Sequence, residues 1–148
     1  MSLSDLIQKN VVKVPIRSKS KSDVIAELLD VLVEAGKVED REVAYNALLE
    51  RESLGSTGLE SGIAVPHAKT DAVSRLTVAI GIAPDGVDFQ SVDGEPSRLF
   101  FLMLAPPDQS GPHIEALAEI ARLARAPAFL KSLARAESPD EVVELINE

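Results

Sequence analysis

Cysteine is absent from the 148 residues, which excludes thiol nucleophiles, thiolate metal ligands and disulfides, and fits a reducing compartment. Tryptophan is missing as well. The five other aromatic residues, Phe89, Phe100, Phe101, Phe129 and Tyr45, are too few for a base-stacking platform and read more simply as core. Basic residues are scarce: 15 Lys and Arg stand against 24 Asp and Glu, a net charge of −9. Nucleic acid is therefore not an expected partner, because its affinity rests on neutralising phosphates. No apolar run approaches the ~20 residues of a membrane helix. The start Met1-Ser2-Leu3-Ser4-Asp5 lacks both a basic region and a long apolar core. A soluble cytoplasmic protein without direct membrane insertion is the expectation.

Only two histidines are present, too few for the common His- or Cys-rich zinc site unless carboxylates join them, and there is no His-Glu-x-x-His. Gly55-Ser56-Thr57-Gly58 is not followed by the Gly-Lys-Ser/Thr of a phosphate loop. The Gly-x-Ser-x-Gly elbow of serine catalysis is absent too. No metal site and no cofactor is expected.

What is present suits one globular domain over residues 1–148: 45% apolar and 26% charged residues, without repeat, low-complexity tract or linker. Leu3 to Gln8 reads as a short helix, and Val11 to Pro15 as an edge strand. Ser20 and Asp23 form a capping-box-like start to a helix with Val24, Ile25, Leu28, Leu29 and Leu32 at helical spacing, stopped by Gly36. A second helix runs from near Asp40 toward Arg51, with Val43, Ala44, Ala47 and Leu48 on one face. Three glycines, Gly55, Gly58 and Gly62, precede a short apolar run from Ile63 to Val65. Leu76 to Ile82 and Leu99 to Ala105 read as strands, the second central because it is apolar without alternation. Asp85-Gly86 and Asp93-Gly94 are turn signals between them. A loop from Pro106 to Pro112 leads into a helix over 113–125, with Ile114, Leu117, Ala121 and Ala124 on one side, until Pro127 breaks it. Phe129 to Leu133 is a short helix, and Ser138-Pro139-Asp140-Glu141 caps a last one. Strands and helices alternate too irregularly for a doubly wound sheet. The expected fold is α/β, or α+β by some schemes, with a mixed β-sheet between helical layers.

His67 ends Gly62-Ile63-Ala64-Val65-Pro66-His67, a short strand delivering an imidazole to its C-terminal edge, where ligand groups concentrate in α/β proteins. A hydrogen-bonded turn residue is the plain alternative. Pro112 suits a first helical position and puts His113 in the first turn. There the positive helix end disfavours a proton on the ring and attracts a dianion. His113 is thus suited to stay neutral and donate a hydrogen bond to phosphate, or it is a first-turn residue without a role. Arg51 closes its helix, as the dipole alone favours, and its planar fork also suits an anion. Lys69 lies two residues past His67. A histidine with a second histidine and cations around it describes a phosphoryl acceptor: the ring must be oriented, three oxygens stabilised and one face left open for in-line transfer. Ile63, Val65 and Ala68 either form an apolar docking rim or are core.

At these residues the chain resembles the enzyme IIA proteins of the fructose/mannitol/nitrogen-related class of the bacterial phosphotransferase system. The resemblance is carried by Arg51-Glu52-Ser53-Leu54-Gly55-Ser56-Thr57-Gly58 and Gly62-Ile63-Ala64-Val65-Pro66-His67. It continues through Gly86-Val87-Asp88-Phe89, Asp93-Gly94, Leu104-Ala105-Pro106 and His113. It implies a mixed sheet between helical layers, His67 as the residue phosphorylated by the phosphocarrier HPr, His113 as the second active-site histidine, and Arg51 near the pocket. Thr57 and Lys69 fall in the same phosphate neighbourhood. Its implied partners are HPr and either an enzyme IIB/IIC permease, reached through a IIB cysteine, or a regulatory target protein. Transport of a fructose-like sugar is one expectation, and Asp93-Gly94 leans toward it because nitrogen-type relatives often carry Asp-Asn there. A nitrogen-type regulator and a non-phosphorylated interaction domain are the others. Glu60 departs from the family's usual glycine; were that position to need φ > 0, a glutamate would cost ~1 kcal/mol.

Overall fold

In the computed structural model residues 3–147 are described; Met1, Ser2 and Glu148 lie outside them. Leu3–Leu6 (α1) is shorter than expected, and after a 3₁₀ turn at Lys9–Val11 the first strand, β1, keeps only Val12–Lys13. Ser20 Oγ accepts the Asp23 amide at 3.3 Å and starts Lys21–Glu34 (α2). Asp40 does the same for Val43 at the head of Arg41–Ser53 (α3). The expected inward face of α3 is off at one residue. Val43 is 48% exposed, whereas Ala44 and Leu48 are buried as expected and Glu52 joins them.

Ile63–Ala64 (β2) and His67–Lys69 (β3) run parallel to the same side of one strand, Ser97–Ala105 (β5). They are successive pieces of one sheet edge, and the break between them falls at Val65-Pro66, where the proline has no amide to give the ladder. Thr77–Val87 (β4) pairs antiparallel with β5 and parallel with β1, so the sheet order is β1-β4-β5-β2 with β3 beyond β2 on the same edge. The expected turn at Asp85-Gly86 lies inside β4. The register shifts between Ile82 and Val87, and Gly86, at φ +78°, lets the strand kink and resume.

Alternation divides the sheet cleanly. Ala79, Ala83, Phe100, Leu102 and Leu104 face α2 and α3, whereas Val78, Ile80, Ile82, Phe101 and Met103 face the C-terminal helices. Those helices are Ser110–Leu123 (α4), Pro127–Ala134 (α5) and Pro139–Asn147 (α6). A mixed sheet buried on both faces between helical layers is the fold. Among the described residues no helix is long and apolar enough to cross a membrane.

α4 departs from its expected phase. It begins at Ser110, so Pro112 is its third residue and the His113 amide already bonds to the Gln109 carbonyl at 3.4 Å. Its inward side is His113, Ala116 and Ile120. At 100° per residue, placing His113 inward turns its neighbour Ile114 outward, where it is 64% exposed.

Candidate functional site

Three elements meet at the edge of the sheet. β3 brings His67 and Lys69, the last turn of α3 brings Arg51, and the first turn of α4 brings His113. With Ala47, Glu50, Leu54, Ala68, Ile114 and Leu117 they line a groove of about 520 Å³. Four of the five residues singled out in the sequence therefore converge here from three distant stretches. Thr57 does not line the groove: it is buried, and its hydroxyl donates to Glu52 Oε1 at 2.5 Å while its amide donates to Oε2 at 2.9 Å.

His67 opens β3 rather than closing β2, and its orientation has one dominant cause. Nδ1 lies 2.6 Å from the Val65 carbonyl oxygen. A carbonyl can only accept, so Nδ1 carries the proton and the Nε2 lone pair is left free. Burial lowers the pKa of His67, opposed by the Val65 contact; the Arg51 charge lowers it further and Glu52 raises it. The neutral ring, with a nucleophilic Nε2, is the favoured form.

The His113 ring stands at 75° to that of His67, with centroids 5.3 Å apart. It is 5% exposed, and among the described residues its Nε2 is the one buried side-chain nitrogen or oxygen without a hydrogen-bond partner. Burial first, then the neighbouring His67 and Lys69, push its pKa down to about 4. The sequence led to a neutral His113 through the helix end; desolvation is the larger cause. A neutral imidazole with an unpaired Nε2 can donate to an anionic oxygen as its Nε2–H tautomer.

Arg51 Nη1 caps its own helix on the Gly55 carbonyl at 2.9 Å, and Lys69 Nζ reaches Ser110 Oγ at 3.1 Å across the groove. Both cations are tethered by neutral groups, so neither charge is cancelled by a carboxylate at hydrogen-bond distance in these contacts. Of the two alternatives for Ile63, Val65 and Ala68 the structure selects core, at 0%, 4% and 6% exposure, whereas Leu54 at 81% and Ile114 are the apolar groups that the groove's lining presents to solvent. Leu54 was hidden from sequence reading because nothing in a helix-end leucine marks it as outward. The feared strain at Glu60 is absent: positive φ falls on Ser61 (63°) and Gly62 (77°), and Glu60 is exposed. Sequence reading gave neither Glu52 nor Lys21 a role. Glu52 has one signal, its place in the stretch from Arg51 to Gly58, and Lys21, 31 residues before it, has none.

Residues 5–148 match the family model described as "Phosphoenolpyruvate-dependent sugar phosphotransferase system, EIIA 2". The chain is 41% identical over its full length to the fructose-specific EIIABC component of Bacillus subtilis, of which it covers 23%. It therefore spans less than a quarter of that relative. To the fructose-specific EIIA component of Haloferax volcanii it is 40% identical, covering 87% of this chain and 84% of that one. Among solved structures, the nitrogen regulatory protein IIA-Ntr from Neisseria meningitidis superposes with a TM-score of 0.84 at 27% identity, over 97% of this chain and 98% of that one.

Proposed function

The chain belongs to the EIIA 2 family of the phosphoenolpyruvate-dependent sugar phosphotransferase system, and on that premise we propose that His67 is a phosphoryl carrier serving fructose-like sugar uptake in the cytoplasm. It takes the group from the phosphohistidine of an HPr-like donor and passes it to a cysteine of an EIIB domain. The observation that carries this reading is the pairing of a free Nε2 on His67 with the unpartnered, buried Nε2 of His113 in one open groove.

In the first transfer, His67 Nε2 attacks phosphorus in line as the donor's P–N bond breaks, and that electron pair returns to the donor imidazole. Nδ1 keeps its proton on the Val65 carbonyl throughout. The Nε2–H tautomer of His113 donates to a phosphoryl oxygen, and Arg51 and Lys69 supply positive charge around the other two. In the second transfer a cysteine thiolate forms an S–P bond while the P–N electrons restore the Nε2 lone pair. Identity of 41% and 40% to two fructose-specific components, against 26% to 34% to nitrogen regulatory proteins, supports transport over regulation.

Intact mass after incubation with phosphoenolpyruvate, enzyme I and HPr tests the carrier. Wild type is expected to gain one phosphoryl group and His67→Ala none; no gain in wild type overturns the proposal. Adding a fructose-type EIIB domain is then expected to empty His67 rapidly. A phosphohistidine that persists there, with the first transfer intact, replaces transport by the regulatory reading.

A further inference from the structure

A buried carboxylate is connected to the accepting imidazole by hydrogen bonds that run through two backbone residues, Thr57 and Val65. Glu52 has a side chain only 6% exposed and is held by Lys21 Nζ at 2.8 Å. Its two oxygens take both donors of Thr57, amide and hydroxyl. The Thr57 carbonyl in turn accepts the Val65 amide at 3.0 Å, and the Val65 carbonyl accepts His67 Nδ1–H at 2.6 Å. Val65, whose carbonyl fixes the ring, is thus held through its own amide by the loop residue that the charged pair anchors. Lys21 is itself located by Gln90 Oε1 at 3.1 Å and by the Phe89 ring, 4.9 Å from its centroid. The pair is a weak device for stability alone, because apolar groups of similar volume fill such space as well. What a carboxylate offers is two strong acceptors in a fixed plane, used here on consecutive donors of one loop residue.

We propose that Glu52 is a positioning residue for phosphoryl acceptance: through Thr57 and Val65 it holds the His67 ring with Nδ1 protonated and Nε2 aimed into the groove. This rests on the reading of His67 as acceptor, but its ring-orienting part has a readout of its own. Glu52→Gln keeps the shape; with its oxygen on Lys21 Nζ and the Thr57 amide, its NH₂ faces Thr57 Oγ1, so both Thr57 donors lose the charged acceptor and the hydroxyl contact must reverse. Thr57→Val removes the hydroxyl donor alone, and Thr57→Ser restores it.

Long-range ¹H–¹⁵N NMR of the unphosphorylated protein reads the His67 tautomer, and transfer from phospho-HPr reads kcat and KM. Wild type is expected to show Nδ1–H only. In E52Q a second tautomer should appear and kcat fall about tenfold to a hundredfold, the usual effect of losing an orienting partner, with KM unchanged. T57V is expected to move the same way by less, and T57S to recover what T57V loses. A folded E52Q, or a folded T57V if E52Q does not fold, that keeps both tautomer and kcat overturns the proposal. Wild type that takes no phosphoryl group fails the acceptor reading instead, and the tautomer comparison still decides whether Glu52 holds the ring.

Discussion

Protonating His113 would put a cation in a buried position facing His67 and Lys69, and the fold resists it. Its pKa in the folded protein is near 4, against about 6.5 in an unfolded chain, so between those values the unfolded state binds more protons. Stability therefore rises with pH across that window and is lost as pH falls from 6.5 toward 4. From pH 7.5 to pH 5 the loss assignable to His113 is about 2 kcal/mol. His67, also lowered by burial, adds to it with the same sign. Urea unfolding at both pH values checks this: His113→Gln should flatten the difference by about that amount while slowing phosphoryl transfer. A variant with the wild-type slope contradicts it. Arg51 gives a second test at this scale. Arg51→Lys keeps the charge and loses the planar fork, so transfer should slow by about a hundredfold, as when one oxyanion donor is removed. Thermal stability should change little, because only one exposed contact to Gly55 is altered.

At the scale of elements, local chemistry was legible and phase was not. Ser20, Asp40 and Ser138 each accept an amide three residues on; at Ser20 and Ser138 the acid in that third position, Asp23 or Glu141, marks the cap in the sequence. Ser20→Ala should cost about 1 kcal/mol, seen as a lowered urea midpoint at an unchanged slope. The faces of α3 and α4 differ from their apolar pattern at Val43 and Ile114; Ile114 lines the groove, and Val43 is an exposed valine beside a face already filled by Ala44 and Leu48. An apolar residue on the outward side breaks the periodicity that pattern reading depends on. The convergence of His67, His113 and Arg51 was legible through residue type, whereas the Glu52–Thr57 contacts were not, since no spacing rule distinguishes a buried acid from a solvated one. The loop they brace is tightly packed at Gly58. A Cβ there would sit 2.5 Å from Ser91 Oγ and 2.9 Å from the Ser91 Cα. Gly58→Ala should cost roughly 1–3 kcal/mol and displace the Val65 carbonyl from His67. The matching readout is a mixed His67 tautomer in the folded fraction; an undisturbed ring would mean that loop and imidazole are uncoupled.

Across the whole molecule, the interrupted edge of the sheet is where the two helical layers leave room for a partner. α3 belongs to one layer and α4 to the other, and the sheet edge between them carries a break instead of a full strand. The surface around it combines two tethered cations, on a chain of net charge −9, with Leu54 and Ile114 standing out on either side. Such a combination suits docking a protein that delivers a dianion: apolar contact excludes water while the cations meet the charge. Leu54 bears on this most directly, being 81% exposed and so contributing almost nothing to the core. Leu54→Asp should leave folding stability within about 0.5 kcal/mol. Burial of a leucine against a partner is worth about 1.5–3 kcal/mol, so KM for the phosphodonor should rise at least tenfold. kcat should hold, because the side chain has no part in the bond exchange. Steady-state kinetics at two ionic strengths separates the contributions: the Leu54→Asp defect should contain a salt-sensitive part from the new charge, and Leu54→Ser should retain the salt-insensitive remainder. A Leu54→Ser protein with wild-type KM would place the docking surface elsewhere on the molecule.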